Sequence, residues 1–218
     1  MHAFAGYALA AAACVQVHVG TMAGTGVAFG IRVRELWLGM GPRAFGRGLL
    51  QVRAIPLGAA VCFENAGTGS TGLPDRALFD RRSAWVQSAV LLSGCAALVL
   101  VSAATLGVDG PRAFVDGFGQ FVGGAFSLTE ARGLAKQAAA FAAQASWADM
   151  AGLVAAKMAA LNLMPLPGTN GGNIVRIVSR EFGVDRVWRD GFTAAVALGQ
   201  VFLLMSWLFA LLVPEWML

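Results

Sequence analysis

Long apolar segments are the feature that most restricts how this chain can fold. They cover roughly residues 4–31, 84–106 and 192–213, and each is near the roughly 20 residues that cross a bilayer's hydrocarbon core as a helix. A fourth segment, roughly 147–164, contains Asp149 and Lys157 and is followed by two prolines. Such interruptions are tolerated where backbone is buried in protein or lines a cavity. We therefore predict a mainly α-helical membrane protein with about four transmembrane helices.

Composition supports the membrane interpretation and argues against nucleic-acid binding. The chain has 218 residues, of which 57% are hydrophobic and 13% charged, outside the usual range of soluble domains. Its basic residues lie between the apolar segments and form no dense tract. Eight arginines between residues 32 and 82 predict that the first loop is cytoplasmic. With four spans both termini would then lie on the outer face of the membrane, which we expect to be a bacterial inner membrane.

The loops carry local signals as well. Residues 32–38 alternate polar and apolar side chains, 49–55 do so in part, and 59–63 could add a third strand, which predicts a small membrane-associated β-sheet. Residues 65–80 are expected to be a flexible loop. In the outer-face loop, residues 107–146, a capping-box pattern from Ser127 to Glu130 predicts the start of an Ala-rich helix.

Glycines recur at four-residue spacing in the first apolar segment, as Gly20 and Gly24 and then Gly26 and Gly30. This spacing lets another helix approach the backbone closely. Packing inside the helix bundle is the expected use.

Four motifs follow one another in a fixed order. The first is His18-Val19-Gly20-Thr21-Met22, with the strand and turn that end at Gly39-Met40-Gly41-Pro42, and the second is Ile55-Pro56-Leu57-Gly58. The third is Ser93-Gly94-Cys95, and the fourth runs from Asn162 to Gly172 as NLMPLPGTNGG. Together they resemble the site-2 proteases, peptidase family M50. In that family the corresponding elements are a HExxH helix, a G-x-G-P turn, an I-P-L-G-G sheet segment, a Gly-Pro step that opens the second core helix, and N-x-x-P-x-P-x-L-D-G-G.

The resemblance covers most of the chain and implies a single site-2-protease-like domain, residues 1–218, without a PDZ or CBS module. In the family, both His of HExxH and the Asp of the last motif bind zinc, and the Glu acts as general base. Position by position, these are His18, Met22 and Asn170 for the ligands and Val19 for the base. Because Val cannot accept a proton and Met and Asn suit zinc poorly, we expect a degenerate site without catalysis or a bound cofactor.

Two metals remain as alternatives. An unusual ligand set could still hold zinc, with Cys14 or a residue of another chain recruited to it. Cys14, His18 and Met22 are also spaced four apart along one helix stripe, a soft set that would suit copper(I). The simpler interpretation is a packed helix face, with His18 hydrogen-bonded inside the bundle.

The favoured function is a non-catalytic scaffold, assembly or regulatory subunit, bound to other membrane proteins within the lipid bilayer. In the family the sheet edge pairs with extended substrate by strand addition, so the expected partner-binding residues are Leu36, Trp37, Ile55, Pro56, Leu57 and Gly58. One alternative is an active intramembrane zinc metalloprotease with non-standard ligands. A second is a channel or transporter subunit, suggested by Asp149 and Lys157 in the broken segment.

Overall fold

Helices dominate the computed structural model, which describes residues 2–67, 72–184 and 190–212. The protein is 70% helical, which confirms the mainly α-helical class. The helices are α1 (His2–Ala28), α2 (Ala84–Leu106), α3 (Asp109–Phe126), α4 (Leu128–Ala142), α5 (Trp147–Leu163), α6 (Asn170–Glu181) and α7 (Asp190–Leu212). The strands are β1 (Val33–Arg47) and β2 (Leu50–Phe63).

Three of the described helices are long and apolar enough to cross a membrane. They are Ala5–Ala28 of α1, Ala84–Leu106, which is all of α2, and Ala194–Leu212 of α7. The predicted second segment has the same bounds as α2, and the predicted end of the last segment, Val213, lies outside the described residues. The predicted fourth span corresponds to α5, which has 17 residues and is about 25 Å long at 1.5 Å per residue. By length and composition, the described helices thus include three candidate membrane spans.

Small side chains place α5 at the centre of the bundle. Ala151, Ala155, Ala156, Ala159 and Ala160 are all buried, and α5 packs against α1, α2 and α3. Because alanine side chains are short, the neighbouring helices approach α5 closely from several sides. The core cluster at this point combines Ala155 and Ala159 with side chains of α1 and α2.

The sheet follows α1 and consists of two strands that both bend. Residues 33–38 pair antiparallel with 59–63 on one side, while on the other side they align in the same direction with 50–52. Residues 43–47 in turn pair antiparallel with 50–53. The two strands therefore supply four segments of a mixed sheet, in the order 59–63, 33–38, 50–52 and 43–47.

Glycines make the bends possible. Gly39 and Gly41 in β1 and Gly58 in β2 have φ angles of 92°, 82° and 75°, in the left-handed region that favours glycine. The prediction of a sheet is confirmed, but the three predicted short strands are joined into two long ones. The turn predicted at residues 39–42 is a bend inside β1. The strand continues beyond it because residues 43–47 find pairing partners in β2.

Part of the predicted flexible loop, residues 65–80, is ordered. Two short 3-10 turns, Asp75–Ala77 and Phe79–Arg81, lie in it, while residues 68–71 are outside the described part. Leu78 is buried, and the ring of Phe79 stacks on Phe63 of β2 with centroids 5.2 Å apart. These two apolar side chains fix the segment beneath the sheet.

The loop from residue 107 to residue 146, which was predicted to lie on the outer face, contains one helix more than expected. Ser127 accepts a hydrogen bond from the Glu130 N–H at 3.2 Å, which confirms the predicted start of α4. The preceding α3 was not predicted, because its glycine content masked the helical pattern. Gly110, Gly117 and Gly124, spaced by seven, lie against α2, α5 and α7 respectively, where a methyl group would overlap the neighbouring helix.

Candidate functional site

One face of α1 supplies three of the residues that the resemblance singled out. His18, Val19 and Met22 are 6%, 4% and 6% exposed. Since residues four apart lie one above the other on a helix, His18 and Met22 share the stripe that also contains Cys14. This face is turned into the bundle, toward α2 and α5.

The fourth residue, Asn170, reaches the same place from the far end of the chain. It is the first residue of α6, a helix that the sequence analysis did not predict, and it is 8% exposed. Thr169 is the N-cap: its hydroxyl accepts from the Gly172 N–H at 3.1 Å and donates to the Met164 carbonyl at 2.6 Å. The cap therefore fixes where α6 begins and directs Asn170 inward.

Two glycines allow α6 to start so deep in the bundle. A methyl group on Gly171 would overlap the main-chain carbonyl of Leu163, and one on Gly172 would overlap that of Leu166. Neither carbonyl can turn away as a side chain could. The Gly-Gly pair thus lets the N-terminus of α6 lie directly on the chain that leaves α5.

The Asn170 amide nitrogen is the point at which the site converges. Its Nδ2 lies 2.8 Å from the Leu91 carbonyl oxygen, 3.2 Å from His18 Nε2 and 3.4 Å from Met22 Sδ. Cys95 Sγ follows at 3.9 Å. The structure therefore brings the predicted residues His18, Met22 and Asn170 together, although His18 and Asn170 are 152 residues apart in the sequence.

The Leu91 contact fixes the orientation of this amide. A main-chain carbonyl can only accept, so the NH2 group of Asn170 must be the end that faces Leu91. The same group donates to His18, which makes Nε2 the acceptor and leaves the ring proton on Nδ1. Nδ1 faces the backbone of Gly94 without a hydrogen bond of normal geometry to any described residue. His18 is thus neutral and hydrogen-bonded within the bundle.

These residues do not fit the zinc ion that the family uses. Zinc requires imidazole, thiolate or carboxylate donors, whereas here a thioether and an amide accompany the single imidazole. The amide also presents N–H groups, which repel a cation, at the centre of the donor set. The Asn170 amide nitrogen occupies the point on which the ligands would have to converge.

The general base is missing from its expected position. Val19 is buried beside His18 and carries no group that can accept a proton. General-base assistance contributes typically about 10²- to 10⁴-fold to a hydrolytic rate. The arrangement therefore lacks two of the three metal ligands and the base on which the family's hydrolysis depends.

The three residues considered as a copper(I) site, Cys14, His18 and Met22, do not share the same contacts. The Cys14 thiol donates to the Ala151 carbonyl of α5 at 3.5 Å and packs with Leu98 and Ala155. The thiol next to the Asn170 amide is that of Cys95. Within the described parts of the chain, three or more His, Cys, Asp or Glu side chains nowhere come together in a metal-binding group.

Both charged residues of α5 have structural partners. Asp149 forms a capping box with Ser146, accepting from its N–H at 3.1 Å and from its hydroxyl at 2.8 Å. Lys157 donates from Nζ to the Ala113 carbonyl of α3 at 2.8 Å. These contacts give Asp149 a role in helix capping and Lys157 a role in helix packing.

The predicted partner-binding residues lie in different parts of the sheet. Leu36 and Trp37 belong to the central segment, whose main chain pairs on both sides, and Arg53 lies over the Trp37 ring at 3.8 Å. Gly58 is exposed at the bend of β2. The main chain of Ile55 lies opposite Met40, while the side chains of Ile55, Pro56 and Leu57 are outside the described part. A strand added to this sheet must therefore pair with an outer segment.

The outer segment 43–47 has the features of such an edge. In the described sheet it pairs on one side, with residues 50–53. Phe45 on it is 70% exposed, and the neighbouring Leu49 is 54% exposed. A singly paired strand with exposed apolar side chains is a template for another chain.

Several residues of the site escaped sequence reasoning. The Leu91 carbonyl carries no signal in a sequence, because any residue supplies the same group. Ser93-Gly94-Cys95 was expected to open a helix but lies in the middle of α2, where Gly94 lets α1 approach. A methyl group at Gly94 would lie 2.7 Å from His18 Nδ1. Thr169 could have been found, since Thr is a preferred N-cap residue.

Comparison with known proteins agrees with the motifs. Residues 7–206 match the model of peptidase family M50. The search of curated proteins found no match.

Proposed function

Because the chain belongs to peptidase family M50, the site-2 protease family, we propose that it is a non-catalytic member. It uses the family's helix bundle and sheet to hold a partner, as a scaffold, assembly or regulatory subunit of a membrane complex. The observation that carries this proposal is the Asn170 amide, which donates to His18 and Leu91 at the position of the family's metal ligands.

The pattern of retained and altered residues supports this role. The glycines that bend β1 and those that seat α6 are present, and Thr169, which stands where the family motif has Leu, caps α6. Three of the four positions with a chemical task are altered, at Val19, Met22 and Asn170, whereas the scaffold motifs are altered at fewer of their positions, such as Cys95 and Thr169. A chain under selection for folding and binding alone would keep most of the scaffold and lose the chemical positions.

The edge at residues 43–47 is the proposed docking surface for the partner. Strand addition obtains affinity from main-chain hydrogen bonds and specificity from side chains such as Phe45. Arg43 and Arg47 flank Phe45 and favour an acidic strand. Leu36 and Trp37 then support this edge from the middle of the sheet.

The protein is an integral membrane protein with at least three apolar spans. We place α5 in the membrane as a fourth span, short because it is enclosed by other helices rather than by lipid. The arginine-rich sheet is then cytoplasmic by the positive-inside rule, and both termini are on the outer face.

Isolation in mild detergent at native expression tests this function. We expect a discrete membrane subunit in fixed ratio to the chain. Phe45→Glu should reduce its recovery about 10-fold or more, as expected for a central interface residue worth about 1.4 kcal/mol or more. Quantitative mass spectrometry of the eluted proteins measures this ratio.

The matched control is Ala139→Glu, which adds the same charge to an exposed position of α4 far from the sheet in sequence. It should leave recovery of the partner unchanged. Isolation of the chain alone, or equal recovery with Phe45→Glu, would show that the edge does not hold a partner.

A further inference from the structure

A polar side chain lies at the midpoint of the first membrane span. Gln16 is the twelfth residue of the 24 from Ala5 to Ala28, and it is exposed on the surface of the chain. It takes part in no hydrogen bond or other polar contact with the rest of the described chain. In a bilayer its amide would therefore face hydrocarbon with both its donors and its acceptor unpaired.

Such a position is unfavourable unless another molecule supplies the missing bonds. The hydrocarbon core contains no water to satisfy an amide, and polar groups at this depth usually face a protein partner. Gln200 on α7 is also polar, but it is the seventh residue of its span, which starts at Ala194, so it is nearer the membrane surface. Gln16 is at the depth where a partner matters most.

Two glycines on the same face of α1 are also unexplained within the chain. A methyl group on Gly20 or Gly24 would meet no atom within 4 Å, and neither residue has a positive φ. By contrast, Gly26 and Gly94 lie where a methyl group would overlap Phe63 and His18. Since glycine weakens a helix relative to alanine, its presence at residues 20 and 24 needs a reason outside this chain.

Gln16, Gly20 and Gly24 form one exposed stripe on α1. Their spacing of four residues, with two glycines, lets the backbones of two helices come into contact. Ala12 and Ala28, at the two ends of this stripe, are exposed as well. The amide is thus set in a surface shaped for a second helix.

We propose that this stripe is a homodimer interface, in which α1 of one copy packs on α1 of a second copy and the two Gln16 amides bind each other. All copies insert with the same topology, so a two-fold axis along the membrane normal brings both Gln16 side chains to the same depth. A glutamine amide carries donor and acceptor, so two identical amides satisfy each other across that axis. The interface is separate from the sheet edge, and it does not rest on the proposed partner function.

Single-molecule photobleaching of fluorescently labelled protein in liposomes, over a range of protein-to-lipid ratios, tests the proposal. The unaltered chain should show two bleaching steps at the higher ratios. Gln16→Leu should weaken dimerisation about 3- to 30-fold, the range expected for an interhelical hydrogen bond in a membrane. Gly20→Leu should weaken it further, because the backbones can no longer meet.

Gly199→Leu is the matched control, since Gly199 is an exposed glycine of α7 with no atom near its missing side chain. Dimerisation should be unchanged in this variant, and all variants should keep the thermal unfolding midpoint of the original chain. A chain that stays monomeric at every ratio would overturn the proposal. So would loss of the dimer in Gly199→Leu without loss in Gln16→Leu, which would place the interface on α7.

Discussion

The double variant Met22→His/Asn170→Asp should bind one zinc ion per chain. It restores the family's donors at two positions that converge with His18, since Asn170 Nδ2 now lies 3.2 Å from His18 Nε2 and 3.4 Å from Met22 Sδ. Two imidazoles and one carboxylate form a three-ligand set that zinc accepts, with bond lengths of about 2.0–2.2 Å. The zinc content of the purified variant, measured by plasma mass spectrometry after dialysis, gives the result.

Further variants test the ligand positions and the general base separately. Neither Met22→His nor Asn170→Asp alone should hold zinc through dialysis, and adding His18→Ala to the double variant should remove it. Without a base the double variant should not hydrolyse peptide bonds, whereas Val19→Glu in addition should permit slow hydrolysis. If the double variant is folded but free of zinc, the side chains do not converge as the structure shows.

Gly172→Ala should destabilise the protein by about 1–3 kcal/mol, the usual cost of forcing extra volume into a packed interior. The added methyl group overlaps the Leu166 carbonyl, which belongs to the main chain and cannot rotate away. The start of α6 must therefore shift, and Asn170 with it. Unfolding in mixed micelles with increasing fractions of a denaturing detergent measures this free energy.

Gly133→Ala is the matched control for this substitution. Gly133 lies in α4 with no atom within 4 Å of the added methyl group, so alanine there should stabilise the helix by up to about 1 kcal/mol. Equal effects of the two substitutions would mean that the contact between α6 and the chain after α5 is looser than described.

Local patterns predicted the elements whose signals are local. The apolar run of α2 gave both of its bounds, because length and hydropathy define a span without reference to neighbours. The capping pattern from Ser127 to Glu130 predicted the start of α4. Ser146 and Asp149 carry a similar capping pattern. Because the charge of Asp149 lies in an apolar segment, however, it was interpreted as a residue that could line a cavity.

Elements that depend on distant partners were predicted less well. The continuation of β1 through Gly39 and Gly41 depends on pairing with β2, and pairing between strands cannot be read from one strand alone. The helix α3 is stabilised by glycine contacts with α2, α5 and α7, which its own composition does not reveal. The structure corrected both.

The residues of the site likewise include some that a sequence motif identifies and others that depend on distant elements. His18, Met22 and Asn170 were found together because a family motif fixes their spacing. The contact from Asn170 to the Leu91 carbonyl was not found, since it depends on how α6 meets α2. That contact orients the amide. As a result, Asn170 presents N–H groups, rather than its oxygen, where a metal would lie.

The zinc content of the unaltered protein, purified in the presence of zinc and then dialysed, tests the central claim most directly. A neutral amide at the metal position and a thioether beside it predict far less than one zinc ion per chain, with no difference between the original chain and His18→Ala. One zinc ion per chain that is lost in His18→Ala would contradict the account, because the site would then bind the family's metal despite Met22 and Asn170.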